Sequence, residues 1–240
     1  MGELIEPLLI FIVVIAYPFS IFFDTSVYNL KYLLNRHSEV RYWMSTIQVF
    51  QYSARIFMVI FIPGISLLTE LNSNFNQIYI ITILIHIITA VILLLSFFSF
   101  KKINKINIFL ISIINFFTGK KNVSEGFIDR EGVLSFSLSF LKRKLFFASY
   151  ISHLLVATSM TYIYIFSFYF NDRILTLNSI TQIINMVAIS ILLVAVDPRI
   201  MSSFDKENGG VEEIKVIYAS RILAHISIAI VFYFTGLYLN

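Results

Sequence analysis

The chain has 240 residues, of which 58% are hydrophobic and only 13% are charged, and its mean hydropathy is +0.83. A soluble domain carries about 25% charged residues, so the composition favours an integral membrane protein. Cysteine is absent, which excludes disulfide scaffolds, thiolate metal sites and cysteine nucleophiles. The net charge of +4 does not require a nucleic-acid partner, and we expect none, because basic loops are ordinary in membrane proteins.

Six apolar runs are long enough to cross the hydrocarbon core of a membrane, which takes about 20 residues. The first run follows Glu3 and Glu6 instead of the basic segment of a signal peptide, so we expect a retained helix. Pro18 should kink the first helix, and the Pro63-Gly64 pair should break or end the second. We predict one all-α membrane domain over residues 1–240, with helices at about 4–23, 42–68, 77–100, 145–170, 174–196 and 216–238.

The basic residues are distributed very unevenly along the chain. Fifteen of the 18 Lys and Arg residues lie in three predicted connections, at residues 24–41, 101–144 and 197–215, whereas the opposite face has only Arg173. Cytoplasmic loops are enriched in Lys and Arg. We therefore expect these three connections in the cytoplasm and both termini outside it.

The longest connection contains a segment with helical amphipathicity. Across residues 103–117, Asn, Lys and Ser cluster on one side of a helical wheel, and Ile, Leu and Phe occupy the other. Because the segment is too short to span comfortably, we predict an interfacial helix that buries its Ile and Phe face in the cytoplasmic membrane surface. Residues 122–132 should form a polar loop, and we predict no strand at residues 134–140.

Arg55 and Arg221 lie inside apolar runs. A charge within the membrane is costly and usually faces the protein interior or a wet cavity. The planar guanidinium matches phosphate oxygens, so both residues are candidates for an anion site. The alternatives are a structural ion pair with Asp24 or Asp197, or a side chain that extends to the membrane interface.

Asp24 and Asp197 stand where the first and fifth helices should reach the cytoplasm. Each could be a counter-charge that releases an arginine when an anion binds, or a proton site. For Asp197, the order Asp197-Pro198 is also typical of a helix N-terminal cap. A possible internal repeat accompanies these residues, since YSARI at residues 52–56 resembles YASRI at residues 218–222. It is either a parallel transporter repeat or a coincidence of biased composition.

Polar side chains also occur at helical spacing in the fifth helix. This stripe faces either a cavity or a neighbouring helix, to which it would hydrogen-bond. Its members are Asn178, Thr181, Gln182 and Asn185.

His86, His153 and His225 lie in three different helices. We expect neutral, hydrogen-bonded histidines and no metal site, with proton coupling as the alternative. Motifs for a serine hydrolase, a zinc protease or a phosphate-binding loop are absent from the sequence, so we expect neither an enzyme nor a cofactor.

Several segments resemble the Amj family, the alternate lipid II flippases of bacteria. They are FDTSVY at residues 23–28, SAR at residues 53–55, residues 180–194 leading into VDPRI at 196–200, and RIL at 221–223. The resemblance covers roughly residues 15–65 and 175–225. It implies a multi-pass protein of the bacterial cytoplasmic membrane that serves peptidoglycan synthesis. It would move undecaprenyl-pyrophosphate-linked disaccharide-pentapeptide from the inner to the outer leaflet.

With this resemblance, the sequence predicts a substrate path for a polyprenyl-pyrophosphate-linked glycan whose lipid tail stays among the membrane lipids. The arginines would bind the pyrophosphate, the aspartates would pair with them in the empty site, and the stripe would line the path of the sugars and peptide. The predicted residues are Arg55 and Arg221 at the pyrophosphate, Arg36 and Arg199 at the entrance, Asp24 and Asp197 as counter-charges, and Gln182 and Asn185 on the path.

Two alternatives belong to other functional classes. A membrane-embedded enzyme acting on polyprenyl phosphates would need acids or histidines clustered at one membrane depth. A non-transporting scaffold for envelope machinery would have a tightly packed interior without a polar cavity.

Overall fold

The computed structural model describes residues 2–35, 39–71, 75–118, 123–127, 144–205 and 210–239. Within these ranges the backbone is almost entirely helical. A 3-10 turn at Asn171–Arg173 precedes α7, and a π-helical segment, Leu192–Val196, joins α7 to α8. The helices are α1 Gly2–Leu33, α2 Val40–Leu71, α3 Phe75–Phe98, α4 Phe100–Thr118, α5 Val123–Gly126, α6 Lys144–Tyr169, α7 Ile174–Ile191, α8 Asp197–Phe204 and α9 Val211–Leu239.

Six stretches of helix in the described residues are long and apolar enough to cross a membrane, which confirms the predicted number and order. The protein is therefore a multi-pass transmembrane protein. Its helices are longer than the apolar runs, because α1 continues to Leu33 and α2 begins at Val40. The connection predicted at residues 24–41 is thereby reduced to residues 34–39.

The prediction that Pro63-Gly64 ends the second helix is wrong, because α2 continues through the pair to Leu71. Pro63 is exposed on the outer face of α2, and proline is tolerated within a membrane-spanning helix where neighbouring groups or small backbone adjustments satisfy the carbonyl that its missing N–H leaves free. Gly64 is buried, and a Cβ atom built on it would lie 2.8 Å from Val13 Cγ2 of α1. The glycine therefore allows α1 and α2 to approach closely.

Gly64→Leu should accordingly lower the stability of the protein, by about 1–3 kcal/mol from overpacking alone. Thermal unfolding in detergent, followed by loss of monomer on size-exclusion chromatography, measures the effect. Pro63→Leu is the matched control, since it adds leucine one position away on the exposed face and should unfold at or above the wild-type temperature. Equal unfolding temperatures for Gly64→Leu and the wild type would contradict this role of Gly64.

Each long helix packs mainly against one or two others. α1 packs against α2 and α3, and α9 packs against both α3 and α6. α7 packs against α6, and Ala188 is the buried residue of that helix. Most of α7 thus presents its side chains outward, which suits a membrane environment.

The three basic connections meet at one end of the bundle. Leu34, just after α1, forms an isolated bridge with Phe127, just after α5. The Tyr32 ring contacts the Phe204 ring at the end of α8, with centroids 5.7 Å apart. Hence the ends of α1, α5 and α8 lie on the same side of the protein, as an even number of spans between them requires.

The segment predicted to be an interfacial helix is helical, as α4, and its two faces have different surroundings. Asn107 and Asn115 are buried against the protein, with exposed fractions of 0% and 3%, and the Tyr42 hydroxyl donates a hydrogen bond to Asn115 Oδ1. Phe116 and Phe117 are each 81% exposed. The Asn side of α4 therefore packs on the bundle, while its Phe and Ile side faces outward and remains available to lipid.

Only part of the long connection belongs to the described residues. In the predicted polar loop at residues 122–132, residues 123–126 form α5. The absence of a strand at residues 134–140 concerns residues outside the described part of the chain.

Candidate functional site

A cavity of about 520 Å³ lies between α1, α2, α6, α9 and the π-helical segment. Four of the residues predicted for the substrate path line it: Asp24, Arg55, Asp197 and Arg221. They come from positions as far apart as α1 and α9, so the fold brings both arginines and both aspartates to one place. We call this the arginine cavity.

Arg221 is held by hydrogen bonds from all three of its guanidinium nitrogens on the cavity wall. Its side chain is 2% exposed, and Nη2 donates to Asp24 Oδ2 at 2.6 Å. Nη1 donates to Thr25 Oγ1 at 2.6 Å, and Nε donates to His153 Nε2 at 3.0 Å. The guanidinium carbon also lies 5.5 Å from the centre of the Tyr28 ring. This is the ion pair that a buried charge requires, and it faces a cavity at the same time.

Small side chains set the helix positions around this arginine. Ser220 is hydrogen-bonded to Ser149 at 2.7 Å, which fixes α9 against α6. Ser20 Oγ donates to the Ala54 carbonyl at 2.9 Å, which fixes α1 against α2. Serine and alanine allow helices to approach closely in membranes. Ser20, Ala54 and Ser220 each lie within about one turn of an arginine or aspartate of the cavity, so this packing helps to determine where the charges lie.

Asp197 is held differently from Asp24. The Tyr28 hydroxyl donates to Asp197 Oδ1 at 2.8 Å. The N-cap position of α8 is occupied by Val196, with no side-chain capping bond, so the capping role considered for Asp197 is not what the structure contains. A π-helical turn lies just before α8, and the Asp197 carboxylate that follows it is part of the cavity wall. Such turns are often found at functional sites.

Arg55 lies opposite the Arg221 cluster, on α2. It is exposed, with its guanidinium carbon 5.2 Å from the centre of the Tyr52 ring. Among the residues that the structure describes, Arg55 forms no ion pair. It also borders a smaller hollow of about 230 Å³ with Gln48 and Gln51, and Gln51 Nε2 lies 3.4 Å from Asp24 Oδ1. Arg55 therefore offers an uncompensated positive charge at the cavity.

The other predicted site residues lie elsewhere. Gln182 is exposed on α7, and Asn185 accepts a hydrogen bond of 2.6 Å from Ser159 of α6. Asn185 thus has the interhelical bond that was the alternative for the polar stripe. Arg199 is exposed on α8, and Arg36 lies outside the described residues.

Sequence reasoning did not assign Tyr28 or His153 to the site. Tyr28 contacts Asp197 and Arg221, and His153 accepts from Arg221 Nε. The FDTSVY segment did contain a signal for Tyr28, since the tyrosine lies four residues after Asp24 and therefore on the same side of α1. His153 has no comparable signal, because its partner is on a different helix.

Models of protein families, curated proteins and solved structures give no match to this chain. The cavity itself must therefore indicate what the protein does. Its wall combines the guanidinium groups of two arginines and the ammonium group of Lys31 with two carboxylates, two histidines and aliphatic side chains of α6 and α7. Such a wall can bind an anion that is attached to an apolar group.

Proposed function

We propose that the protein is a lipid-linked oligosaccharide flippase that moves lipid II from the inner to the outer leaflet of the bacterial cytoplasmic membrane. The observation that supports it is that Arg55 and Arg221 line the same cavity. The sequence alone predicted a shared site for the two arginines but could not show it. The resemblance to the Amj family supplies the identity of the cargo. Arginine forks on both sides of a cavity suit a ligand with two phosphate groups.

In this proposal the anion exchanges with Asp24 at Arg221. The Asp24 side chain is 36% exposed, whereas the Arg221 side chain is 2% exposed. The carboxylate can therefore turn to water at modest cost, while the arginine keeps a negative partner throughout. Arg55, which has no ion pair in the described structure, would bind the second phosphate.

The sidedness of the proposal follows from the basic connections. They meet at one end of the bundle, and the positive-inside rule assigns that end to the cytoplasm and both termini to the outside. The outward Phe and Ile face of α4 would then lie in the cytoplasmic interface. Lipid II is made on that side, so the headgroup would enter from the basic end.

Single-cysteine labelling tests this orientation directly, because the chain has no cysteine of its own. Asp172→Cys, in the exposed turn before α7, should react in intact cells with a membrane-impermeant maleimide. Lys102→Cys, exposed at the start of α4, should react only after the cells are opened. The reverse pattern would invert the orientation and remove the proposed entrance for the headgroup.

A membrane-embedded enzyme acting on polyprenyl phosphates is the second candidate. One observation favours it, since Asp24, Asp197 and His153 share the wall of the arginine cavity. A purified enzyme of this kind would release inorganic phosphate from a polyprenyl diphosphate, and a flippase would release none. The scaffold alternative has less support, because a polar-walled cavity of about 520 Å³ is not the packed interior that it requires.

The functional experiment is complementation. In a bacterium depleted of its resident lipid II flippase, expression of this chain should restore outer-leaflet lipid II and prevent lysis. Arg199→Ala should complement like the wild type if the exposed arginine of α8 only adds to the basic entrance. Failure of the wild-type chain to restore outer-leaflet lipid II, at normal protein level, would contradict the proposed function.

A further inference from the structure

Two histidines form a hydrogen-bonded pair in the membrane-spanning part of the bundle. His86 of α3 and His225 of α9 have exposed fractions of 0% and 2%, and their Nδ1 atoms lie 2.9 Å apart. The Tyr17 ring of α1 packs edge-on against both imidazole rings, with its centroid 5.6 Å from that of His86 and 5.9 Å from that of His225. His225 also lines the arginine cavity. Ionisable groups at such depth need a partner and commonly mark ion or proton paths.

The hydrogen bonds fix where the protons of this pair are. The Thr161 hydroxyl donates its single proton to the Ala157 carbonyl at 2.8 Å, so toward His86 Nε2, 3.2 Å away, Thr161 can only accept. His86 therefore carries its proton on Nε2 and accepts at Nδ1. His225 must then donate from Nδ1, which leaves its Nε2 unprotonated on a ring that lines the cavity.

The charged and titratable groups around this pair belong to every helix that packs there. Arg221 is one turn before His225 on α9, and its Nε donates to His153 of α6. A second proton on His225 would thus create a cation beside Arg221, and both side chains are buried. Such a charge needs an additional negative partner. The groups concerned are Tyr17, Asp24, Tyr28 and Lys31 of α1, Arg55 of α2, His86 of α3, His153 of α6, Asp197 of α8 and Arg221 of α9.

We propose that His225, oriented by His86, is a proton-binding site that fills together with the anion in the arginine cavity. This inference rests on the proposed anion site and adds its coupling ion. The proton comes from the buffer acid in the solvent, reaches the cavity through its water and adds to Nε2, and the bound anion supplies the negative charge that the new cation requires. The two ligands therefore promote each other's binding, as thermodynamic linkage demands.

The linkage has a direction that can be measured. One proton taken up with each anion makes the affinity for the anion rise as the pH falls, by up to tenfold per pH unit. A suitable probe is farnesyl-diphospho-N-acetylglucosamine, whose two phosphates are diesters and do not titrate near neutral pH. Any pH dependence of its binding then belongs to the protein.

The experiment is isothermal titration calorimetry of the full chain in nanodiscs with this probe, at pH 7, in HEPES and in Tris buffer. The difference between the two buffers gives the number of protons taken up, and about one proton per bound probe is expected. His225→Gln should bind the probe with no proton uptake. His37→Gln, which removes a histidine predicted to lie outside the membrane spans, should keep it.

Nitrogen-15 NMR of histidine-labelled wild-type protein provides a second measurement that needs no variant to fold. In the empty protein His225 should be neutral with its proton on Nδ1, and it should become cationic when the probe is added. Binding without proton uptake, or a His225 ring that carries its proton on Nε2 when empty, would overturn the inference but leave the flippase proposal standing. No binding of the probe would overturn both, and proton-coupled binding without complementation would overturn the flippase alone.

Discussion

Arg221→Ala should abolish transport and also lower the amount of folded protein. The substitution removes four contacts at once and leaves Asp24 without its cationic partner at the cavity. Breaking a fully buried ion pair from one side costs about 3–5 kcal/mol, and the cost here is lower because the Asp24 side chain is 36% exposed and can turn to water. Immunoblotting of membranes, together with complementation of flippase-depleted cells, measures both effects.

Two further variants separate the structural role of Arg221 from the functional one. Arg221→Lys keeps the charge beside Asp24 but loses the planar fork, so we expect near-normal protein level with impaired transport. The double variant Asp24→Asn with Arg221→Gln should recover protein level relative to Arg221→Ala, because no unpaired charge remains, and should still fail to transport. Arg173→Ala, at an exposed turn, is the matched control. Full transport by Arg221→Lys would contradict a bidentate role for this residue.

Arg55→Ala should reduce transport strongly without reducing protein level. Arg55 is exposed, and its one described aromatic contact is with Tyr52 at 5.2 Å, so the fold loses little when the guanidinium is removed. A hydrogen bond to a charged ligand group contributes about 1.5–3 kcal/mol, which corresponds to a decrease of roughly 10- to 150-fold in affinity. Transport of fluorescent lipid II in proteoliposomes measures the decrease.

The comparison with Tyr52 sharpens this prediction. Tyr52→Phe keeps the ring beside Arg55 and should transport normally, whereas Arg55→Gln should behave like Arg55→Ala. If Arg55→Ala instead lost protein level in parallel with transport, Arg55 would be a structural residue like Arg221. The pyrophosphate would then have lost one of its two proposed ligands.

The sequence predicted the fold well because each span is a continuous apolar run. Run length determines the number of spans, and the orientation inferred from Lys and Arg stays a prediction. Hydropathy could not show that α1 continues to Leu33 or that α2 passes through Pro63-Gly64 without a break. Those extensions depend on contacts with other helices, such as the one between Gly64 and Val13.

The candidate site was predictable in part for a similar reason. Arg55, Asp24, Asp197 and Arg221 could be found because charges in apolar segments are costly and therefore rare. The stripe on α7 was harder to interpret, since a polar side chain that lines a cavity and one that bonds to a neighbouring helix have the same periodicity. Asn185 proved to bond to Ser159. The face of α4 that packs on the bundle was also unpredictable, because buried asparagines and solvated asparagines have the same pattern in sequence.

Photo-crosslinking tests most directly whether the arginine cavity holds the headgroup of a polyprenyl-pyrophosphate-linked glycan. Lipid II with a diazirine on the sugar nearest the pyrophosphate is added to the protein in nanodiscs, and the labelled peptides are identified by mass spectrometry. The labels should fall on cavity-lining residues of α2 and α6, such as Met58 and Val156, and should be lost in Arg221→Lys. Labels on the apolar groove between α3 and α9, near Ile87 and Ile230, or labels on the cavity that persist in Arg221→Lys, would contradict a headgroup site at the two arginines.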